Sequence, residues 1–298
     1  MSPRLVTTVA EYRAACDALR GGGRRVGLVP TLGALHHAHQ ALMRAARSVA
    51  DHVAVSIFVN PTQFGPGEDF QRYPRDLDAD LATCAAAGVD LVFAPDVQQI
   101  YPRGEATRVR VSGLTDHWCG RSRPGHFEGV ATVVAKLFAA TGPCSAVFGR
   151  KDYQQLQVVK RMTADLLLPV GIVEHPTQRD PDGLATSSRN RYLSPAERDR
   201  ALALPRALSA AGRAFEAGER AAERLGAIVG AALAAADVTL EYAALVDAAT
   251  LEPRLSGQLN PGEAAVLLAA RVGSTRLIDN LVLGHDALPA AAVESEAG

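Results

Sequence analysis

Histidines, neutral amides, cations and hydroxyls recur in this sequence just after short apolar runs. Pro30-Thr-Leu-Gly-Ala-Leu-His-His-Ala-His39 follows the first such run. If the chain is helical from Leu35, His36 and His39 fall on one face. Imidazoles at a helix N-terminus can donate to phosphate oxygens. A surface helix start with scattered histidines gives the same pattern, and HExxH zinc spacing is absent. Asn60 and Gln63 end a second apolar run, where neutral amides suit a hydroxylated, carboxylated small molecule; Asn60-Pro61 also reads as turn chemistry. Arg123-Pro-Gly-His-Phe-Glu-Gly129 is a loop with two glycines before a helix. In Val147-Phe-Gly-Arg-Lys-Asp-Tyr-Gln-Gln155, Gly149 lets a ligand approach the backbone. Lys151 can meet a phosphate there and Asp152 can accept from ribose hydroxyls, although a charged helix start looks alike. Gly183-Leu-Ala-Thr-Ser-Ser-Arg-Asn-Arg191 carries hydroxyls and arginines able to grip a polyphosphate, or to solvate a linker. The GxxxxGK[ST] phosphate loop is absent.

Such residues need elements that hold them. Residues 25–30, 52–59, 90–94, 145–148 and 171–174 read as short, nearly continuous apolar strands, with helical patterns between them. That alternation predicts a parallel sheet covered on both faces, which binds ligands at the carboxyl ends of its strands. The composition changes near residue 178, at the polar cluster Gln178-Arg-Asp-Pro-Asp-Gly183. Ser194 then reads as a helix N-cap, with Pro195 at the first helical position and Glu197 closing a capping box. An Ala-rich helical region to about Ala236 and strands over 239–246, 264–272 and 275–283 form a smaller α+β unit. Pro181 and Gly183 suit a hinge, and the tail from Ala290 to Gly298 reads as frayed.

Composition removes other classes. With 48% hydrophobic and 21% charged residues, the 298-residue chain is not disordered. Lys plus Arg is 31 against 32 for Asp plus Glu, so an anionic ligand must be met by a local cluster, not by a general field. The N-terminal residues show no secretory h-region, and no apolar run approaches the ~20 residues of a spanning helix. Cys16, Cys84, Cys119 and Cys144 form no CxxC and read as reduced thiols of a cytoplasmic protein.

Taken in order, PTLGALHHAH, VSIFVNPTQF, YPRDL, RPGHF, KDYQQL, DGLATSSRNRYL and TRLIDN resemble the pantothenate synthetase family, from about Arg25 to Leu283. The family is similar to nucleotidyltransferase relatives of class I aminoacyl-tRNA synthetases, its HxGH and SSRN elements corresponding to their HIGH and KMSKS signatures. The resemblance implies an α/β fold: a Rossmann-like, doubly wound parallel-sheet domain over residues 1–179 that binds ATP and pantoate, then a smaller α+β C-terminal lid domain over 180–298. It implies a ligase in the coenzyme A pathway that joins pantoate and β-alanine through pantoyl adenylate, releasing pyrophosphate and AMP. Carried over by motif, His36, His39, Lys151, Ser187, Ser188 and Arg189 would hold the phosphates and act in catalysis. Pro30, Thr31, Leu32, Gly33, Gly149, Asp152 and Thr186 would complete the ATP site. Gln63, Gln155 and Asn60 would hold pantoate, and Mg2+ would bridge ATP oxygens. A cytoplasmic homodimer, without nucleic-acid or membrane partners, is also implied. Four positions depart from the pattern: Ala38 replaces the glycine of HxGH, His37 stands where an acid is common, Arg150 replaces an acid, and Thr186 replaces Met or Leu. They keep open a specialised or non-catalytic paralogue that binds ATP with altered substrate use.

Overall fold

Strands that are apolar on both faces can be buried only in a sheet covered on two sides. The computed structural model describes residues 2–234 and 236–289; the tail expected to fray lies outside them. Six strands, β1 (Arg4–Val6), β2 (Val26–Thr31), β3 (His52–Ile57), β4 (Leu91–Phe93), β5 (Cys144–Gly149) and β6 (Val170–His175), form one sheet in the order β1-β4-β3-β2-β5-β6. All its pairings are parallel. The helices are α1 (Val9–Leu19), α2 (His37–Val49), α3 (Leu77–Ala86), α4 (Val97–Ile100), α5 (Trp118–Ser122), α6 (His126–Thr141) and α7 (Tyr153–Asp165). Leu28, Val29, Val53, Val55, Val92 and Val147 are buried strand residues, and α2 packs on β2, β3 and β5.

The sequence pattern missed β1. Three residues are too short to show periodicity, and its pairing with β4 joins residues almost ninety positions apart. Strand order reverses between β2 and β5: the chain runs from β2 outward to β3, and later from β5 outward to β6 on the other side. At such a switch point the loops leaving the two central strands diverge and open a crevice. Those loops begin at Leu32 and Arg150.

Among the described residues, a second compact unit comprises 151–153, 176–234 and 236–289, the first comprising 2–150 and 154–175. Its strands β7 (Thr239–Asp247), β8 (Ala264–Val272) and β9 (Thr275–Val282) pair antiparallel in that order. Helices α8 (Pro195–Ala201), α9 (Ala203–Glu216) and α10 (Ala222–Ala234) complete it. Leu204, Leu208, Phe215 and Leu225 share a core with Val266, Leu268, Val272 and Leu281. Residues 151–153 join this unit because Tyr153 donates to the Ala248 carbonyl (2.7 Å) and Asn280 donates to the Lys151 carbonyl (2.7 Å). Among the described residues no helix is long and apolar enough to cross a membrane.

Helix α8 starts as its sequence predicts, with Ser194 Oγ accepting from Glu197 N and Glu197 accepting from Ser194 N. Ser194→Ala should therefore cost about 1 kcal/mol in urea unfolding; an unchanged midpoint would remove the cap from the stability of this helix.

Candidate active site

The loop after β2 is set by its backbone. Thr31 Oγ1 donates to Ser56 O (2.7 Å) and accepts from Gly33 N (3.2 Å). Gly33 (φ +82°) and Ala34 (φ +51°) both adopt the left-handed region, which glycine tolerates and alanine resists. Asp80, 4% exposed on α3, holds them there: its carboxylate accepts from Ala34 N (3.1 Å) and Leu35 N (2.7 Å). Burial still pushes its pKa up against those two hydrogen bonds. The amides of Ala34 and Leu35 are thus turned to Asp80. Sequence reading missed Asp80, because Asp76, Asp78 and Asp80 share one acidic helix start and only burial separates Asp80 from its neighbours.

The helix begins two residues later than a start at Leu35 would place it. His36 is extended (φ −143°, ψ 179°) and serves as N-cap, with α2 opening at His37. The two imidazoles nevertheless meet, their ring centroids 4.1 Å apart. His39 Nδ1 accepts from His36 N (3.3 Å), which assigns the proton of a neutral ring to Nε2. Nothing in the structure explains the replacement of glycine by Ala38, or of an acid by His37.

A second cluster surrounds Gln63. Asn60 is fully buried; its Nδ2 donates to Gln63 Oε1 (3.1 Å) and Gly129 O (3.1 Å). Its Oδ1 accepts from Thr62 Oγ1 (2.9 Å) and Tyr101 OH (2.8 Å). These internal bonds make Asn60 a support for Gln63, and they turn the Gln63 Nε2 donor away from Asn60. Helix α6 presses on the same turn: a Cβ at Gly129 would lie 2.4 Å from Thr62 O and 2.7 Å from Gln63 N. His126 Nδ1 donates to Gln63 O (2.8 Å), and its Nε2 faces Arg123 Nη1 (2.9 Å). Arg123 in turn grips Glu68 with two bonds of 2.6 Å. Burial would raise the Glu68 carboxyl, but Arg123 holds it below the usual carboxylate range. The RPGHF motif is therefore a brace around Gln63.

At the end of β5, a Cβ added to Gly149 would meet only Leu42 Cδ2, at 3.8 Å. Protein packing does not demand this glycine, and the space beside its backbone is open to a ligand. The Arg150 departure is absorbed locally: it is buried, and its Nε lies 3.2 Å from Glu174 on β6, which also pairs with Lys160. The two glutamines of KDYQQL divide their work. Gln154 is buried and bonds Leu114 O (2.8 Å), His117 O (3.0 Å) and Cys119 N (3.0 Å), fixing the loop before α5. Gln155 is half-buried and leaves its amide outside that scaffold.

The second unit assembles the cations and hydroxyls around β9. Asn280 holds the Lys151 carbonyl, and Lys151 Nζ stands 3.9 Å from Asp152. Asp279 accepts both arms of Arg179 (2.7 and 3.0 Å), and Arg179 also donates to Gly183 O (3.0 Å). Residues 178–186, where a hinge is expected at Pro181 and Gly183, form a hydrogen-bonded hairpin. Gly183 N donates to Asp180 O (2.9 Å), Asp180 N to Leu184 O (2.8 Å) and Thr186 N to Gln178 O (2.9 Å). Ser187 Oγ accepts from Arg189 N (3.2 Å) and starts a 3-10 turn over Ser188–Tyr192. Ser187, Ser188 and Arg189 are half-buried there. Asp279 and Asn280 explain the TRLIDN motif, to which sequence reading gave no role.

These motifs, in this geometry, match one family along nearly the whole chain. The family model described as Pantoate-beta-alanine ligase matches residues 4–282. The chain belongs to the pantoate–β-alanine ligase family. It is 54% identical over 280 residues to a pantothenate synthetase of Acidothermus cellulolyticus, covering 94% of this chain and 91% of the relative. A solved pantothenate synthetase from Thermus thermophilus superposes with TM-score 0.87 at 50% identity, covering 94% of this chain and 99% of that one. A pantoate–β-alanine ligase from Francisella tularensis, solved as a complex with β,γ ATP and β-alanine, gives TM-score 0.76 at 33% identity, covering 94% and 98%. The switch-point sheet and the separate three-stranded sheet are the architecture these ligases share with the chain.

Gly129→Ala tests the support of Gln63. The added methyl must displace α6 or the turn at 61–63, at a cost of about 1–3 kcal/mol in denaturant unfolding. Stability equal to the unsubstituted protein would show that the close approach is not needed.

Proposed function

We propose that the chain is an ATP-dependent ligase that joins pantoate and β-alanine to give pantothenate, AMP and pyrophosphate. A pantoate carboxylate oxygen attacks the α-phosphorus of ATP, and pyrophosphate leaves as pantoyl adenylate forms. The amine of β-alanine then attacks the acyl carbon; the carbon–oxygen bond to AMP breaks and the ammonium proton is released. Little covalent work falls to the protein, so rate comes from positioning and from neutralising charge on the phosphates.

The observation that carries this reading is the family match over residues 4–282, with the histidines, lysine, serines and arginine of its motifs present. We assign His36, His39, Lys151, Ser187, Ser188 and Arg189 to the phosphates. The turn from Pro30 to Gly33, Gly149, Asp152 and Thr186 are assigned to the nucleoside and its approach. Gln63 and Gln155 are assigned to pantoate, and Asn60 to holding Gln63 instead of touching pantoate. The open space beside Gly149 supports close approach of the nucleotide to the backbone. Arg150 and Thr186 each find a partner within the fold, which favours the ligase over a specialised or non-catalytic paralogue.

Among the described residues there is no group of three or more His, Cys, Asp or Glu side chains able to hold a metal ion. The family resemblance supports Mg2+ arriving on ATP oxygens, where it would offset phosphate charge. The C-terminal unit is assigned the role of a lid that moves as one body, since its phosphate loop is braced within that unit. The family resemblance supports a homodimer, and four free cysteines suit the reducing cytoplasm.

Lys151→Ala should slow adenylate formation about 100-fold, the scale of losing one preorganised charge partner. Pyrophosphate release in a single turnover measures this, and the pantoate dissociation constant should not move. An unchanged rate would remove Lys151 from the phosphates. Amide hydrogen exchange tests the lid: amides of Gly183 and Thr186 should be protected before ATP is added, because they are already bonded. Fast exchange without nucleotide would return the segment to a mobile hinge.

A further inference from the structure

One carboxylate holds both ends of the three-residue segment Ser187–Arg189. Asp180 Oδ1 accepts from Thr186 Oγ1 (2.7 Å), immediately before it. Asp180 Oδ2 accepts from Asn190 Nδ2 (3.2 Å), immediately after it. Asn190 Nδ2 also donates to Ala185 O (3.1 Å), drawing the two ends together. Arg198 on α8 fixes the carboxylate itself. It donates to Asp180 Oδ2 (2.8 Å) and, through two more bonds, to Asp182 (2.7 and 3.1 Å). Burial alone would raise the Asp180 pKa, but the Arg198, Thr186 and Asn190 hydrogen bonds hold it below the usual carboxylate range. The group therefore stays charged at neutral pH.

We propose that Asp180 is a positioning residue for the adenylation step: through Thr186 and Asn190 it fixes the backbone that presents Ser187, Ser188 and Arg189 to the ATP phosphates. The proposal rests on the reading of that segment as the phosphate grip. Its physical basis is preorganisation. Hydroxyls and a guanidinium that must meet phosphate oxygens within a fraction of an ångström lose rate when the backbone beneath them wanders. A methionine or leucine at position 186 has no hydroxyl to give Asp180. In this chain Thr186 does, is 6% exposed, and turns an apolar position into part of the brace. Thr186 is on this account a matched pair with Asp180 and not a loss of function.

The test is a double-mutant cycle on the full-length protein with Thr186→Val, Asp180→Ala and the two combined. Thr186→Val removes one hydroxyl at nearly constant volume, so it stays informative if Asp180→Ala fails to fold. The readouts are kcat/KM for ATP, from pyrophosphate release, and the pantoate dissociation constant, from calorimetry. Each single substitution should lower kcat/KM for ATP about tenfold, as expected for a hydrogen bond to a charged group. The pantoate constant should stay within about twofold, and the double variant should be no worse than the poorer single one. Thr186→Ser, which keeps the hydroxyl, should recover most of the loss. Multiplied effects in the double variant, equal weakening of pantoate, or an unchanged kcat/KM in folded Thr186→Val would each overturn the proposal. A Ser187→Ala/Ser188→Ala variant separates the two levels. If it leaves kcat/KM for ATP unchanged, the phosphate-grip reading itself fails. If it lowers kcat/KM while Thr186→Val and Asp180→Ala do not, only the positioning role fails.

Discussion

The pair between Asp279 and Arg179 is the interaction on which the second unit's hairpin at 178–186 depends. Asp279 is 3% exposed, lies mid-way along β9, and accepts both arms of the guanidinium. Leaving either partner buried alone would cost about 3–5 kcal/mol, so the pair ties the hairpin at 178–186 firmly to the sheet. The next residue, Asn280, fastens the backbone at Lys151 to the same strand. Arginines are seated on buried or half-buried carboxylates at three places: Arg179 on Asp279, Arg198 on Asp180 and Asp182, and Arg150 on Glu174. These paired arginines shape the backbone, and Lys151 and Arg189 are held on the scaffold they form.

The first unit solves a different problem. Gln63, proposed above to orient pantoate, is a neutral amide that must itself be held in place. Asn60, Gly129 and His126 confine Gln63 from three directions, each by a bond or an approach that leaves little room to turn. Asp80 performs the same service for the turn before His36, holding two residues in the left-handed region against the preference of Ala34. In both places a buried polar group acts on backbone amides or on a neighbouring amide, and so governs side chains it does not resemble. Such satisfied networks rigidify a site because every alternative arrangement leaves a buried donor unpaired.

Much of this was legible in the sequence, for reasons that are local. The central strands are runs of Val, Leu, Ala and Ile bounded by turn residues, and Ser194, Pro195 and Glu197 spell a helix start within four positions. The motifs at 30–39, 60–63 and 149–155 were visible because each follows a strand end. What escaped was long-range. Strand β1 is recognisable only beside β4, Asp80 only by its burial against Ala34 and Leu35, and Gly129 only by its nearness to Thr62. His36 looked helical by spacing but is the cap, because the turn pinned by Asp80 delivers it in extended conformation. That Asp279 fastens the hairpin around Pro181 and Gly183 through Arg179 was likewise invisible, because the partner lies a hundred residues away.

The central claim is that pantoate is activated by forming a bond from its carboxylate to the α-phosphorus of ATP. Pantoate labelled with oxygen-18 in both carboxylate oxygens tests this directly. The oxygen that attacks phosphorus stays with AMP when β-alanine displaces it, so mass spectrometry should find one labelled oxygen in each AMP formed and none in pyrophosphate. Turnover that yields the amide with unlabelled AMP, or with label in the departing pyrophosphate or phosphate, would contradict the account.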